Sequence, residues 1–292
     1  MNLPRCFGVF GDPIGHSRSP IMHNAAFAAL GLPHRYMPFE VSTGRLGEAA
    51  RGAAALGFGG VNLTTPLKRA ASSLCDHLSE TAARIGAVNT LRFVRNLESG
   101  AVEIHGHNTD SRGFLDALDE LPQDPPLRHA TILGAGGASL AVADALLGAF
   151  PELELTWVSR RPAQVRNLER PGMDGILGIP GAAQRIHACS WKALPAPRGQ
   201  LLVNTTIVGL AGGPQDFPVD IDLSALEPGA RVIDIVYPRP EGGLLDRAAA
   251  GGFVGQDGLA MLLWQGVRAL ELWLDLVLPD PVIEAMRRAL YN

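Results

Sequence analysis

Cysteine is scarce in this chain: Cys6, Cys75 and Cys189 are its three cysteines in 292 residues. Odd in number and widely separated, they suit a reducing compartment, and no CxxC or Cys/His cluster is present to bind metal. A charge excess is missing too. The net charge of −4 leaves no general basic surface, which excludes nucleic acid as the main partner. No apolar run reaches the roughly 20 residues of a membrane span. No basic n-region with an apolar h-region opens the sequence, so a cytoplasmic protein is expected. Internal repeats, low-complexity tracts and long charge runs are absent as well. What is present is 47% hydrophobic and 18% charged residues, the composition of a compact protein. The length allows two domains, each with its own core.

Strand-like and helix-like segments alternate through the first third. Cys6–Gly11 is a short apolar run ended by Asp12-Pro13, and Pro20–Leu30 has helical spacing. His34–Val41 alternates, Leu46–Leu56 is an alanine-rich helix, and Gly60–Thr64 is strand-like and stops at Pro66. Two short helices follow, with strands over Ala87–Val94 and Val102–Gly106. This alternation predicts a largely parallel sheet. A helix near Arg112–Glu120 leads into proline-rich Leu121–Pro126, which reads as a linker. Beyond it, strands are expected over Ala130–Leu133, Leu153–Val158, Leu201–Asn204 and Ala230–Val236, with a helix over Leu140–Phe150. Arg166–Gln184 is rich in Gly and Pro and shows no period. Gly258–Leu276 is strongly apolar with helical spacing.

The stretch Thr131-Ile-Leu-Gly134-Ala135-Gly136-Gly137-Ala138-Ser139 runs a strand into a glycine turn and a helix N-terminus. That pattern holds a pyrophosphate against exposed backbone N–H groups. Ser139 stands where the third glycine of the motif would be, and it is small enough to keep helix and strand close. An NAD-binding domain usually places Asp or Glu about 20 residues on, against the ribose 2′-hydroxyl. Here Val158-Ser159-Arg160-Arg161 offers two guanidinium groups and no acid. Guanidinium suits a phosphate that a carboxylate would repel, so the cofactor indicated is NADP. The competing reading is a glycine-rich turn with an unrelated arginine pair.

Open α/β sheets bind ligands outside the carboxyl ends of their strands, so polar residues there carry the search for a site. Asn62-Leu-Thr64-Thr65-Pro66-Leu-Lys68 closes one strand and opens what reads as a helix. A lysine in a first helical turn opposes the macrodipole unless an anion pairs it; otherwise it is a solvated surface residue. Asp110, after Gly106-His-Asn108-Thr109, is either the N-cap of a helix from Ser111 or an acid facing the same crevice. Lys68 and Asp110 together make a plausible proton-transfer pair for a hydride transfer to a carbonyl. Ser19 before Pro20 has the arrangement of an N-cap, which leaves the Ser17 hydroxyl for a ligand. Asn89, an amide early in an apolar strand, must be satisfied by protein or by ligand. Gln265, inside the apolar last helix, is either exposed or aimed at something. His16, His23, His105 and His107 show no metal-ligand spacing with one another, so no metal is expected.

In register from Phe7 to about Asp280, these motifs resemble the shikimate dehydrogenase family. Ser17-Arg-Ser19-Pro-Ile-Met-His-Asn24 is similar to its substrate-carboxylate motif and Asn62–Lys68 to its catalytic-lysine motif. Gly86-Ala-Val-Asn89-Thr90 resembles a substrate-contacting strand, and Asn108-Thr-Asp110 the stretch with the catalytic aspartate. Gly134–Ala138 resembles the cofactor turn; Val232-Ile-Asp234-Ile-Val-Tyr237-Pro238 and Gly258–Gln265 resemble later motifs. The resemblance implies reversible reduction of 3-dehydroshikimate to shikimate with NADP, a step in aromatic amino-acid (chorismate) biosynthesis. It implies that Lys68 and Asp110 are catalytic and that Ser17 and Ser19 hold the substrate carboxylate. Thr64, Asn89, Asp110, Tyr237 and Gln265 would hold ring hydroxyls. The cofactor would lie against Gly134, Ala135, Gly136, Gly137 and Ala138, with Ser159, Arg160 and Arg161 at its 2′-phosphate. Thr205, Thr206 and Gly258 would edge the nicotinamide side.

The implied architecture is α/β: an open, mostly parallel substrate-binding and catalytic domain over 1–114, and a Rossmann-type NADP-binding domain over 115–255. Helices over 256–292 would fold back on the first domain. One departure stands out: the family usually carries Asn-Arg-Thr where this chain has Ser159-Arg160-Arg161, and the NADP preference persists on charge. Two other readings stand beside this one. A relative acting on quinate would be favoured by Thr in place of Ser19, and a non-catalytic dinucleotide sensor by loss of Lys68 or Asp110; neither change is present. The expected partner is a small molecule, not a nucleic acid or a membrane, with a homodimer as the oligomer to test.

Overall fold

The computed structural model describes residues 3–96, 100–166, 177–194, 196–210, 212–238 and 240–292. Of the segment 166–184, residues 167–176 lie outside the described residues. The chain forms two compact units, 1–113 together with 262–292, and 114–261. Among the described residues no helix is long and apolar enough to cross a membrane.

The first unit runs β1 (Cys6–Gly11), α1 (Ser19–Ala29), β2 (Arg35–Glu40), α2 (Leu46–Ala55), β3 (Gly60–Leu63), β4 (His77–Leu78), α3 (Glu80–Ile85), β5 (Thr90–Arg95), β6 (Val102–His107) and α4 (Asp110–Leu118), whose end enters the second unit. Its sheet has the order β2-β1-β3-β5-β6-β4. β1 pairs parallel with β2 and β3, and β4 pairs parallel with β6. β5 alone is reversed, antiparallel to both β3 and β6. The mostly parallel sheet is as expected, and the exception matters for function. Asn62 faces Thr90 and Thr90 faces His107, so the start of β5 lies on the same sheet edge as the ends of β1, β3 and β6.

The second unit continues with β7 (His129–Leu133), α5 (Gly137–Ala149), β8 (Glu154–Val158), α6 (Pro162–Arg166), α7 (Ala182–Arg185), β9 (Ile186–Cys189), β10 (Gly199–Asn204), β11 (Leu226–Asp234), α8 (Leu244–Ala250) and β12 (Val254–Asp257). Every pairing is parallel, in the order β12-β11-β10-β7-β8-β9. That is the doubly wound dinucleotide-binding topology. The helix α5 is buried from Ser139 to Leu147, which explains its near-continuous apolar sequence.

The linker reading of Leu121–Pro126 needs correction. Arg231, 1% exposed, donates to the carbonyl oxygens of Pro122 (3.0 Å) and Pro125 (2.9 Å), and at 3.4 Å to that of Gln200. Prolines leave carbonyls without their own N–H partners nearby, and a buried guanidinium takes up several at once. The segment is therefore pinned into the second unit, and the division between units falls inside α4, between residues 113 and 114.

The last helices, α9 (Gly258–Leu274) and α10 (Asp280–Tyr291), return to the first unit. Leu263, Val267, Leu270, Trp273, Met286 and Leu290 share one core with Phe7, Met22, Phe27 and Tyr36. The Trp273 indole N–H donates to the Leu91 carbonyl at 2.9 Å, and Arg18 donates to that of Leu290 at 2.6 Å.

His23 sits in this core, fully buried and stacked on Tyr36 with ring centroids 4.2 Å apart. Burial lowers its pKa to about 3, so the ring is neutral. An unfolded histidine gains a proton near pH 6.5, while the native one resists until about pH 3. The unfolded chain thus binds more protons in that window, and stability falls with acid. His23→Leu removes the difference. Between pH 7 and 5 the wild type should lose about 2 kcal/mol more unfolding free energy than His23→Leu, measured by urea melts. Equal losses would place the charge balance elsewhere.

Candidate active site

Lys68, Asn89, Thr109 and Asp110 come together at the sheet edge where β1, β3 and β6 end and β5 begins. The Lys68 ammonium donates to Asp110 Oδ2 at 2.7 Å; their side chains are 20% and 7% exposed. The surface reading of Lys68 is therefore excluded. It does not stand in a helical first turn either: residues 65–69 form turns leading to a 3₁₀ segment over Ala70–Leu74. Asp110 is not the cap of α4, because its own N–H donates to Asn108 Oδ1 at 3.1 Å. Its carboxylate is free for Lys68 and for Asn89, whose amide donates to Asp110 Oδ1 at 2.8 Å.

Asn89 is 2% exposed and satisfied by protein on both sides of its amide. Nδ2 also reaches Thr109 Oγ1 at 2.9 Å, and Oδ1 accepts from the Thr109 N–H and the Thr90 hydroxyl. A buried relay stands behind it. Tyr36 donates to Asn62 Oδ1 at 2.8 Å, and Asn62 Nδ2 donates to Thr90 Oγ1 at 3.0 Å. Such a fully paired network fixes the Asp110 carboxylate and through it the lysine. Asn62, Thr90 and Thr109 belong to motifs read in the sequence but had no role there, and Tyr36 stood out in none; their partners lie on distant segments of the chain.

Thr64, half-buried, is at the end of β3, and its N–H donates to the Phe10 carbonyl. The N-cap reading of Ser19 also changes. Arg18 is the N-cap residue of α1, Ser19 is its first helical residue, and Ser17 Oγ accepts from the Ser19 N–H at 3.3 Å. Gln265 is buried and donates to the Leu262 carbonyl at 2.7 Å, where α9 crosses α4 closely. A Cβ on Gly113 would stand 2.5 Å from the Gln265 backbone nitrogen.

The second unit holds the other set. Gly134 has φ +110°, and a Cβ there would stand 2.8 Å from Thr205 Oγ1. The Trp157 indole N–H donates to the Gly134 carbonyl at 2.7 Å and fixes the turn. Gly136 is the N-cap of α5 with no side-chain cap, and nothing lies within 4 Å of where its Cβ would be. No side chain therefore caps the first N–H groups of α5. Ser139, completely buried, donates to the Gly136 carbonyl at 2.6 Å in place of the third glycine. Ala135 is exposed, and Gly137 and Ala138 lie in the first turn of α5. Ser159 Oγ accepts from the Arg161 N–H at 3.0 Å, and both arginine side chains are exposed without a carboxylate partner among the described residues. A dinucleotide with a 2′-phosphate fits this set: open N–H groups for pyrophosphate, free cations beyond β8.

Thr205 and Thr206 follow β10 with their hydroxyls engaged by the Leu133 carbonyl and Asn204 Oδ1. Asn204 Nδ2 in turn donates to Asp234 Oδ1 at 2.9 Å. Burial raises the Asp234 carboxyl to about 6, with Asp257 adding to the rise and the Val236 N–H and Asn204 opposing it. Its stability contribution runs opposite to that of His23, growing as pH falls below about 6, and cancels in the comparison with His23→Leu. Tyr237, half-buried, follows β11. Gly258 begins α9, where any Cβ would collide with the Ile235 carbonyl.

A doubly wound dinucleotide-binding unit joined to an α/β unit with a lysine–carboxylate pair is the architecture of a dinucleotide-dependent dehydrogenase. Residues 9–91 match the shikimate dehydrogenase substrate binding domain and residues 258–291 the shikimate 5′-dehydrogenase C-terminal domain. The shikimate dehydrogenase (NADP(+)) of Rubrobacter xylanophilus is 41% identical over 298 residues, covering 99% of each chain. The Thermus thermophilus shikimate 5-dehydrogenase, solved with NADP(H) and shikimate, is 37% identical with TM-score 0.76 over 98% of this chain and 99% of that one. A Corynebacterium glutamicum quinate dehydrogenase solved with NAD is 29% identical, TM-score 0.82, over 99% of each. The chain belongs to the shikimate dehydrogenase family.

Proposed function

We propose that this chain catalyses the reversible NADP-dependent reduction of 3-dehydroshikimate to shikimate, in the cytoplasm, where its three free cysteines are at home. The first unit is the substrate-binding and catalytic domain and the second the cofactor domain. The observation that carries the reading is the 2.7 Å Lys68–Asp110 pair, half-buried at the edge of the first sheet where β3 and β6 end. When bound, NADP supplies or accepts the hydride. Lys68 holds the proton exchanged with the substrate oxygen and steadies negative charge there, while Asp110 and Asn89 hold Lys68 in place. Ser17 and Ser19 hold the carboxylate; Thr64, Asn89, Asp110, Tyr237 and Gln265 read ring hydroxyls. The free N–H groups after Gly134 take the pyrophosphate, Arg160 and Arg161 the 2′-phosphate, and Thr205, Thr206 and Gly258 shape the nicotinamide side.

The test is NADP⁺ reduction followed by absorbance with shikimate, and with quinate and NAD⁺ in parallel. The highest kcat/KM is expected for shikimate with NADP⁺; no turnover of shikimate, or a preference for quinate, would displace the reading. The two serines can also be told apart. Ser17 accepts a bond from the α1 backbone, so its loss carries a folding cost of about 1 kcal/mol. Ser19→Ala is the cleaner probe: KM for shikimate should rise with kcat and melting temperature near wild type, as loss of uniform binding requires. An unchanged KM would remove Ser19 from the carboxylate site.

A further inference from the structure

The outer edge of the first sheet carries a second cluster. Glu103 and His105 are two apart on β6 and so project from the same face. His77 on the edge strand β4 is the register partner of His105. Glu103 Oε2 lies 3.2 Å from His105 Nε2 and 3.5 Å from His77 Nε2. The imidazole centroids are 4.7 Å apart with 63° between the ring planes, and one ligand atom of each residue lies within 4.8 Å of the others. Metal–ligand bonds of about 2.0–2.2 Å put neighbouring ligand atoms roughly 3–3.5 Å apart, so little contraction is needed. Asn96 Nδ2 donates to Glu103 Oε1 at 2.7 Å, which occupies one carboxylate oxygen and turns the other toward both imidazoles. A partner of this kind orients a ligand carboxylate in metal sites.

We propose that His77, Glu103 and His105 bind a divalent first-row transition metal such as Zn²⁺. Three protein ligands leave coordination positions for water, and the ion ties the two-residue strand β4 to β6. Two imidazoles with one carboxylate favour zinc, nickel or copper over the oxygen-seeking Mg²⁺ and Ca²⁺. The His77 side chain is 62% exposed, which opens the site to exchange with solvent. No residue of the cluster belongs to the substrate or cofactor sets, so this inference stands apart from the proposed activity. It reverses the expectation of no metal. Comparing histidines by their spacing along the chain omitted His77, whose nearness to His105 comes from strand pairing.

Calorimetric titration of Zn²⁺ into the intact, chelator-stripped protein tests it, with Co²⁺ absorbance as a second probe. One saturable site per chain is expected, with a melting temperature that climbs with Zn²⁺ concentration. His77→Ala, Glu103→Gln and His105→Ala should each weaken Zn²⁺ binding by at least about 10-fold. Melts in chelator verify that each variant folds. Should His105→Ala misfold, His77→Ala on the exposed edge decides. Zn²⁺ affinity equal in wild type and variants, or no saturable binding to the wild type, overturns the proposal and leaves a plain histidine–carboxylate ion-pair cluster.

Discussion

Replacing Lys68 by alanine is expected to lower kcat for shikimate oxidation by about 10²–10⁴-fold, the usual contribution of a positioned proton-transfer group, with KM for shikimate little changed. Oxidising an alcohol removes a hydride from carbon and a proton from oxygen, and on the proposed assignment the first unit receives that proton. Lys68 is the cation held at the sheet edge where β3 and β6 end, 2.7 Å from Asp110. Asp110→Asn should behave differently. It removes the charge that positions Lys68 and, on the proposed assignment, a contact to the ring, so kcat and KM should both suffer. Each variant leaves a polar partner behind in a buried place, so circular dichroism and thermal melts must precede kinetics. A folded Lys68→Ala enzyme with near wild-type kcat at saturating substrates would eliminate this mechanism, whatever its cofactor preference.

Much of the fold was legible because both sheets follow local rules. The apolar runs, the helical spacing of Pro20–Leu30 and the glycine turn after Leu133 each announce their element within a dozen residues. Illegible features were those decided across the chain. The reversed β5 looks like any apolar strand, and its direction comes from pairing with β3 and β6. Proline-rich Leu121–Pro126 has the composition of a linker, and what fixes it is a guanidinium some hundred residues later. The edge strand β4 is two residues long and has no period to read.

The site shows the same division. Lys68, Asp110 and Asn89 stood out because charges and amides are costly at apolar strand ends, and they prove to be one hydrogen-bonded group. The relay from Tyr36 through Asn62 and Thr90 was hidden, since each member is an ordinary strand residue until its neighbours are known. Ser19 proves to be the first helical residue and Arg18 the cap, because helix starts are ambiguous by a residue or two when several residues could serve. Asp234 gave even less signal: an acid at a strand end becomes unusual only when burial and Asp257 raise its pKa to about 6.

Arg160→Ala combined with Arg161→Ala should weaken NADP⁺ binding by a few kcal/mol, since charge-assisted contacts contribute about 1.5–3 kcal/mol each. Both guanidinium groups are exposed just beyond β8, and neither is paired with a carboxylate among the described residues. Their loss should therefore leave folding intact and act on the ligand alone. NAD⁺, lacking the phosphate, should bind the double variant almost as it binds the wild type. Ser159 separates charge from loop shape. Its hydroxyl accepts from the Arg161 N–H, so Ser159→Ala loosens the turn while keeping both charges. Its effect on NADP⁺ should be smaller than that of the double variant and should persist in high salt, whereas the arginine contribution fades with ionic strength. Titrations of both cofactors by fluorescence would decide the matter. If NADP⁺ and NAD⁺ weaken equally in the double variant, the arginines shape the adenosine end of the site without reading the 2′-phosphate, and cofactor preference must come from another contact.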